Sequence, residues 1–157
     1  MSNKVLMTPG GYAALKAKLE RLKAEMPKVS QEIGVAREHG DLRENAEYHA
    51  AKEKQGMLNA EIIKTESQLA DAEVVDTSKL KGDKIVFGAM VKLLNTDTDE
   101  EVRYHIVGPA EADSSRGAIS YEAPLAKQLM GRRAGDEVTV RTPGGERTYE
   151  VLEVSFP

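Results

Sequence analysis

The chain has 157 residues, a formal net charge of −4 and no cysteine, with 22 basic and 26 acidic side chains. The lack of cysteine excludes disulfides and thiolate metal sites, and the three histidines do not fall at the spacing of zinc ligands. A slight acidic excess excludes a domain that is basic throughout, so contact with nucleic acid would need a local patch. Neither a signal peptide nor a run of membrane-spanning length is evident, and we expect a cytoplasmic protein that does not bind membranes.

The first predicted element is a long helix that starts at Thr8-Pro9, because proline is tolerated in the first helical turn. Apolar residues then recur at spacings of three and four, which is typical of a coiled-coil seam. The seam positions are Tyr12, Leu15, Leu19, Leu22, Met26, Val29, Ile33 and Ala36. Their phase continues through Pro27, so we predict one helix that is kinked there.

A second helix repeats this spacing, with seam positions at Tyr48, Ala51, Gln55, Leu58, Ile62, Thr65, Leu69 and Ala72. A short connection forces two neighbouring helices to run antiparallel. The segment 36–51 interrupts the pattern, so it forms the tip of a helical hairpin, where no core needs its side chains. We therefore predict a first domain over residues 1–77, an antiparallel coiled coil with an acidic tip at 38–47.

The tip concentrates charged side chains, namely Glu38, Asp41, Glu44, Glu47, Arg37 and Arg43. Exposed carboxylates are ionised at neutral pH, and they are the hard oxygen ligands that suit Mg²⁺. A structural interpretation competes, since Asp41 with Glu44 three positions later has the spacing of a helix capping box. Spacing alone favours the capping box. It also favours a solvated face over a phosphate-binding patch for the nearby cations Arg37, Arg43, Lys52 and Lys54.

The hydrophobic period changes near residues 75–82 from 3.5 to about two, which predicts a second domain over residues 78–157. Predicted strands cover Lys84–Gly88, Ala89–Asn95, Glu101–Val107, Gly117–Tyr121, Glu137–Arg141 and Thr148–Val154. We predict a turn at 96–99, a short helix over 124–131 with proline in its first turn, and a hairpin around Pro143-Gly144-Gly145. The result is a small α+β domain with about five antiparallel strands, one helix and no evident catalytic constellation.

The tip segment, followed by Lys52-Glu53-Lys54-Gln55-Gly56, resembles the bacterial Gre transcript-cleavage factors. The resemblance runs nearly end to end and includes Pro27. Its motifs in the second half are Val86-Phe87-Gly88-Ala89, Ile106-Val107-Gly108, Glu111-Ala112-Asp113, Pro124-Leu125-Ala126 and Arg141-Thr142-Pro143-Gly144-Gly145-Glu146. Departures are small: Lys52 stands where arginine is frequent, Lys54 where glutamine is frequent, and Met57 where an aromatic residue is common. They concern the basic patch and not the tip chemistry.

The resemblance implies a two-domain α+β protein, with an N-terminal antiparallel coiled coil and a C-terminal domain similar to FK506-binding proteins but without isomerase activity. It implies a transcription elongation factor that binds RNA polymerase at the rim of the secondary channel and inserts its coiled coil toward the active centre. There it would stimulate cleavage of the 3′ end of nascent RNA in backtracked complexes. The factor would be a monomer and no enzyme by itself, without a cofactor of its own, sharing Mg²⁺ with the polymerase active site. Its partners would be RNA polymerase, the nascent RNA 3′ end and DNA within the elongation complex.

The same resemblance implies residue roles. Asp41 and Glu44 match the acidic pair that stabilises a second Mg²⁺ within the polymerase active centre. Arg37 and Lys52 match the basic patch that contacts the extruded RNA. The proposed polymerase-docking residues are Ser120, Pro124 and Leu125, although Pro124 as a plain helix starter is an equal alternative.

Two other functions are compatible with the sequence. One is a relative that enters the secondary channel and inhibits polymerase without cleavage, against which the intact pair Asp41 and Glu44 argues. The other is a coiled-coil adaptor or chaperone with an isomerase-like domain, which would act on peptides in the absence of RNA polymerase.

Overall fold

The structure is a computed structural model that describes residues 4–40, 45–77 and 80–157. The chain divides into two compact units. The helical unit is Tyr12–Asp71, and the sheet unit combines the residues up to Gly11 with Ala72–Pro157. Within the described ranges, no helix is long and apolar enough to cross a membrane.

The helical unit is a hairpin of two long helices, α1 (Pro9–Arg37) and α2 (Ala46–Asp71). An early residue of α1 contacts a late residue of α2, since Lys18 Nζ lies 2.7 Å from Glu61 Oε1. Nearer the tip, Lys54 Nζ lies 3.3 Å from Glu32 Oε1. This order of contacts is antiparallel, as predicted. The hydrogen bond from Lys18, together with its charge, lowers the pKa of Glu61.

The predicted seam is the core of the hairpin. The buried side chains of the two helices all occupy seam positions: Leu15, Val29, Ile33 and Ala36 on α1, and Ala51, Leu58, Ile62 and Thr65 on α2. The polar member of this set, Thr65, is satisfied because its hydroxyl donates to the Glu61 carbonyl at 2.8 Å. The helix α1 runs through Pro27 as a single element, as predicted. The last predicted seam position is wrong, because α2 ends at Asp71 and Ala72 begins a strand.

Two short strands were not predicted from the sequence. The strand β1 (Val5–Met7) pairs in parallel with β2 (Ala72–Val74), and Val5 lies opposite Ala72. Three residues are too few to show an alternating pattern, and the pairing joins residues far apart in the chain. The sheet unit therefore holds both the first strand of the chain and everything that follows α2.

The main sheet has five strands in the order β5-β4-β3-β7-β6. Their bounds are β3 Met90–Asn95, β4 Glu101–Val107, β5 Ala118–Ser120, β6 Glu137–Thr142 and β7 Gly145–Ser155, and one helix, α3, covers Pro124–Leu129. The two predicted hairpins, β3–β4 and β6–β7, are confirmed. The prediction of an antiparallel sheet is wrong for β5, which pairs in parallel with β4. The connection between these strands passes through two 3₁₀ turns, which gives the chain room to return in the same direction.

The core of the sheet unit is apolar and fully enclosed, with Ile85, Val91, Leu93, Ile106 and Leu129 at zero exposure. The predicted strand Lys84–Gly88 is wrong. Its alternating side chains are buried as expected, but its backbone pairs with a loop, since the Ile85 amide donates to the Arg132 carbonyl at 2.8 Å. Within this fully described segment, Lys84 alone forms a bridge, to Arg133. An alternating apolar pattern predicts which side chains are buried, but it does not show whether a neighbouring strand is present to pair with the backbone.

The start of α1 is held by one carboxylate, that of Glu111. This side chain accepts hydrogen bonds from the Thr8 amide and from the Gly108 amide, each at 3.0 Å, and a further bond from the Thr8 hydroxyl. The same hydroxyl accepts from the Gly11 amide at 3.1 Å and so caps the helix. A Cβ atom at Gly11 would collide with the Glu111 carboxylate, so a larger residue there would displace this side chain from its hydrogen bonds. The contact ties the first turn of α1 to the segment after β4.

Replacing Glu111 by alanine should destabilise the protein, because donors on the buried residues Thr8 and Gly108 would lose their acceptor. We expect a loss of about 1–3 kcal/mol in the free energy of unfolding, measured by urea denaturation. Glu122→Ala, which removes an exposed carboxylate from the same unit, is the control and should change stability by about 0.5 kcal/mol or less. Equal stability of the two variants would show that the Glu111 contact contributes nothing.

Candidate functional site

The tip of the hairpin begins where α1 ends. The amides of Glu38 and His39 donate to the carbonyls of Val35 and Ala36, each at 3.1 Å, which forms a closing turn after Arg37. Gly40 follows with a φ of 119°, a conformation that side-chain-bearing residues rarely adopt. A tight turn at His39-Gly40 therefore follows the end of α1.

The acidic pair, Asp41 and Glu44, lies outside the described residues, as does Arg43. Their roles therefore stay predictions. The start of α2 bears on the competing interpretation as a capping box. The helix begins at Ala46, and its N-cap is Asn45, whose Oδ1 accepts from the Tyr48 amide at 3.0 Å. The prediction of Asp41 as the N-cap of the second helix is therefore wrong.

With Asn45 as its N-cap, α2 does not need a cap from the carboxylates upstream. Aspartate and asparagine are comparable N-caps, and a helix needs only one. The sequence did carry the signal, because Asn45 is followed by Ala46-Glu47 and a return of the seam at Tyr48. The capping-box spacing of Asp41 and Glu44 was the clearer pattern, so the cap at Asn45 was not predicted.

Two of the predicted basic residues lie on one side of the hairpin. The guanidinium carbon of Arg37 lies 5.8 Å from the centre of the Tyr48 ring, within the range of a cation–π contact. Lys52 is four residues after Tyr48, so it lies one turn further along the same face of α2. Both cations are exposed, and the Lys52 ammonium contacts only its helix neighbour Gln55, at 3.3 Å, in the described contacts.

Lys54 differs from this pair. Its ammonium is directed to Glu32 of α1, with an Nζ–Oε1 distance of 3.3 Å. A side chain engaged across the hairpin is less free to meet a phosphate than one that projects into solvent. Arg37 and Lys52 therefore lie on one side of the hairpin, whereas Lys54 is directed across it to Glu32, and the role of these cations in RNA contact stays a prediction.

The predicted role of Asp41 and Glu44 in binding Mg²⁺ can be compared with the ligands that this ion prefers. Asp41 and Glu44 would supply hard oxygen ligands, which fit Mg²⁺, but two carboxylates leave most of an octahedral shell to other donors. Among the described residues, no group of three or more His, Asp or Glu side chains is placed to hold a metal. Two such carboxylates would fit an ion whose remaining ligands come from other donors.

The predicted docking residues lie in one tight turn of the sheet unit. Ser120 is the last residue of β5, and its hydroxyl accepts from the Glu122 amide at 3.1 Å. Its carbonyl accepts from the Ala123 amide at 2.9 Å, which leads directly into α3. Pro124 is the first residue of that helix and is exposed, while Leu125 is half-buried against the core. The structure brings the three residues together, and it also confirms Pro124 as a helix starter.

Comparison with known proteins identifies the class. Residues 5–74 match the family model for the N-terminal domain of transcription elongation factors, and residues 79–156 match the C-terminal model of GreA/GreB transcription elongation factors. The chain therefore belongs to the GreA/GreB family of transcription elongation factors. The resemblance drawn from the tip and from the C-terminal motifs is confirmed.

Within this family, the chain is similar over nearly its full length to proteins named transcription elongation factor GreA. The chain is 51% identical to the transcription elongation factor GreA of a Nitratiruptor species, over 99% of this chain and 96% of the relative. It is also 51% identical to that of an Anaeromyxobacter species, over 98% and 93%. Among solved structures, a Thermus thermophilus GreA factor homolog (Gfh1) aligns with 28% identity and a TM-score of 0.45, over 97% of this chain and 99% of the homolog. The family assignment rests on the sequence matches.

Proposed function

We propose that this protein binds RNA polymerase through its secondary channel and stimulates cleavage of the 3′ end of nascent RNA in backtracked complexes. The single observation that carries the proposal is the acidic pair, Asp41 and Glu44, in the segment that joins α1 to α2. With 1.5 Å rise per residue, these helices of 29 and 26 residues are each about 40 Å long. A hairpin of that length can carry two carboxylates deep into a narrow channel.

The chemistry proposed for the tip is phosphodiester hydrolysis by the polymerase. A bound Mg²⁺ would lower the pKa of a coordinated water and stabilise the charge that develops on the phosphate. Asp41 and Glu44 would complete the coordination of an ion that the polymerase alone holds poorly. Arg37 and Lys52 would contact phosphates of the extruded RNA, a role that agrees with their exposure at the base of the tip.

The factor would not be an enzyme by itself. Two carboxylates are too few to bind the pair of ions that such hydrolysis needs, so the remaining ligands would come from the polymerase active centre. The factor would act as a monomer in the cytoplasm, with RNA polymerase and the RNA 3′ end as partners, and with DNA nearby in the elongation complex.

The two alternative functions are less well supported. A non-cleaving inhibitor of the secondary channel has no need for the acidic pair, and α2 does not depend on that pair for its cap, because Asn45 supplies it. A coiled-coil adaptor or chaperone has no need for exposed cations beside acidic tip residues. Membership of the elongation factor family argues against it as well.

Neutralising the acidic pair should abolish activity and spare the fold. We expect Asp41→Asn and Glu44→Gln each to lower the rate of RNA cleavage in a stalled complex by at least ~10²-fold, the scale for losing a metal-positioning or acid–base group. Stability should change by about 1 kcal/mol or less, because α2 is capped by Asn45. Glu47→Gln, in the first turn of α2, is the control and should retain activity. Early melting of both variants, with activity in proportion to folded protein, would contradict the proposal.

The docking surface can be tested with a matched pair of substitutions. Ser120→Asp introduces a charge beside Pro124 and should weaken binding to RNA polymerase, measured by competition with the wild-type factor. Thr98→Asp is the control, because Thr98 also uses its hydroxyl to accept from the amide two residues later, at 3.3 Å. It lies in the β3–β4 turn, at the opposite end of β4 from Ser120. If the two variants compete equally well, Ser120 and Pro124 do not belong to the interface.

The basic patch should act only in the polymerase complex. Purified factor with single-stranded RNA and Mg²⁺ should cut nothing, whereas a backtracked complex should release short 3′ fragments at a rate that saturates with factor concentration. Arg37→Glu or Lys52→Glu should slow this release most for long extruded RNA. The difference from wild type should shrink as salt rises, since each lost phosphate contact removes about 0.7 from the salt slope for single strands.

Lys23→Glu reverses an exposed charge on α1 away from the tip and is the control for the basic patch. It should leave cleavage of both short and long extruded RNA unchanged. RNA cleavage by the factor alone, in a preparation free of contaminating nuclease, would overturn the proposed function.

A further inference from the structure

The side chain of Asn45 joins the two helices at the base of the tip. Its Nδ2 donates to the carbonyl of Ala36 at 2.6 Å, next to the last residue of α1. Its Oδ1 accepts from the Tyr48 amide at 3.0 Å, in the first turn of α2. Its own carbonyl accepts from the His49 amide at 3.1 Å, which is the first hydrogen bond along α2. One residue thus ends one helix and begins the other.

Both halves of the amide are needed for this arrangement. The Ala36 carbonyl accepts from the Asn45 side chain as a second donor beside the His39 amide, and the Tyr48 amide requires an acceptor. Aspartate or serine could still accept from Tyr48, because both are good N-caps. An aspartate at this position, however, would face the Ala36 carbonyl with a second acceptor, and the side chain of serine is too short to span both groups.

The bond to Ala36 also bears on the basic patch. Arg37 directly follows Ala36, and its guanidinium lies over the ring of Tyr48, whose amide Asn45 binds. Asn45 therefore bonds Tyr48 and the residue that precedes Arg37, one on each side of this contact. On the other side, Asn45 directly follows Glu44 in the chain, so the bond also sets where the tip segment rejoins α2.

We propose that Asn45 is a positioning residue: by bonding Ala36 across the hairpin, it sets how the tip presents its acidic pair and Arg37 to the polymerase active centre. This inference rests on the proposed function in transcript cleavage. The cap on Tyr48 serves the stability of α2, whereas the bond to Ala36 serves the geometry of the tip. The two contributions can be separated, since different substitutions remove them.

The test uses the full-length factor and a backtracked polymerase complex. Asn45→Asp and Asn45→Ser keep the cap and lose the donor to Ala36, and Asn45→Ala loses both. At saturating factor, we expect the first two variants to cleave roughly tenfold more slowly and Asn45→Ala up to about 10²-fold more slowly, the scale for a misplacement near 1 Å. The factor concentration at half-maximal rate should stay within about twofold, because docking residues are untouched.

Two further measurements distinguish positioning from a loss of fold. Melting temperatures of Asn45→Asp and Asn45→Ser should match wild type, because the cap is retained. The Mg²⁺ concentration that gives half-maximal cleavage should rise for both, since misplaced carboxylates complete the metal site less well. Agreement between a charged and a neutral variant excludes the added charge as the cause. Asn95→Ala is the control, because Asn95 accepts from the amides of Asp97 and Thr98 in the β3–β4 turn.

The possible failures are separable. If the wild-type factor does not stimulate cleavage, the proposed function is wrong, and the role of Asn45 falls with it. If the wild type cleaves and Asn45→Asp and Asn45→Ser cleave equally fast with the same Mg²⁺ dependence, only the positioning role is wrong. A loss of activity that follows the fraction of folded protein would also overturn it, because Asn45 would then be a helix cap alone.

Discussion

The packing of one narrow apolar seam is the interaction on which the helical unit depends. Val29 and Ile33 of α1 meet Ala51, Leu58 and Ile62 of α2 in a single cluster. Burial of a large aliphatic side chain contributes about 1.5–3 kcal/mol, so a few such residues hold two long helices together. Because the seam uses about two positions in seven, the other faces are free for charged residues.

Polar contacts set geometry where the seam cannot. Near the tip the seam ends at Ala36 on α1 and resumes at Tyr48 on α2. The chain reverses direction between these positions, and directional hydrogen bonds fix the start of α2 against the end of α1. Asn45 supplies two of them with one side chain. The contact of Arg37 with Tyr48 lies at the same place, where the apolar seam gives way to the charged tip.

The sheet unit uses the same kind of directional contact at its own junctions. Glu111 gathers three donors from Thr8 and Gly108, which ties the first turn of α1 to the segment after β4. Ser120 turns the chain from β5 into α3 with its hydroxyl and its carbonyl. In both places a short polar side chain satisfies backbone groups that no strand or helix could pair. The exposed Pro124 follows directly from the second of these turns.

The sequence by itself determined the elements that have a long hydrophobic repeat or a turn between residues close in the chain. The two helices, their seam and the two sheet hairpins follow from periodicity and turn chemistry. The tip motif and the C-terminal motifs also sufficed for the family. Residue roles at Asp41 and Glu44 come from that resemblance, since the spacing alone indicated a capping box.

Only the tertiary structure decided the features that depend on partners distant in the chain. Three pairings join segments whose local sequence patterns do not indicate that they pair. They are Val5–Met7 with Ala72–Val74, β5 with β4 in parallel, and Ile85 with its loop partner. The same holds for Asn45, whose second bond reaches back nine residues to Ala36. The local sequence shows which hydrogen-bond donors and acceptors a side chain carries. Which partners those groups bind depends on how the whole chain folds around them.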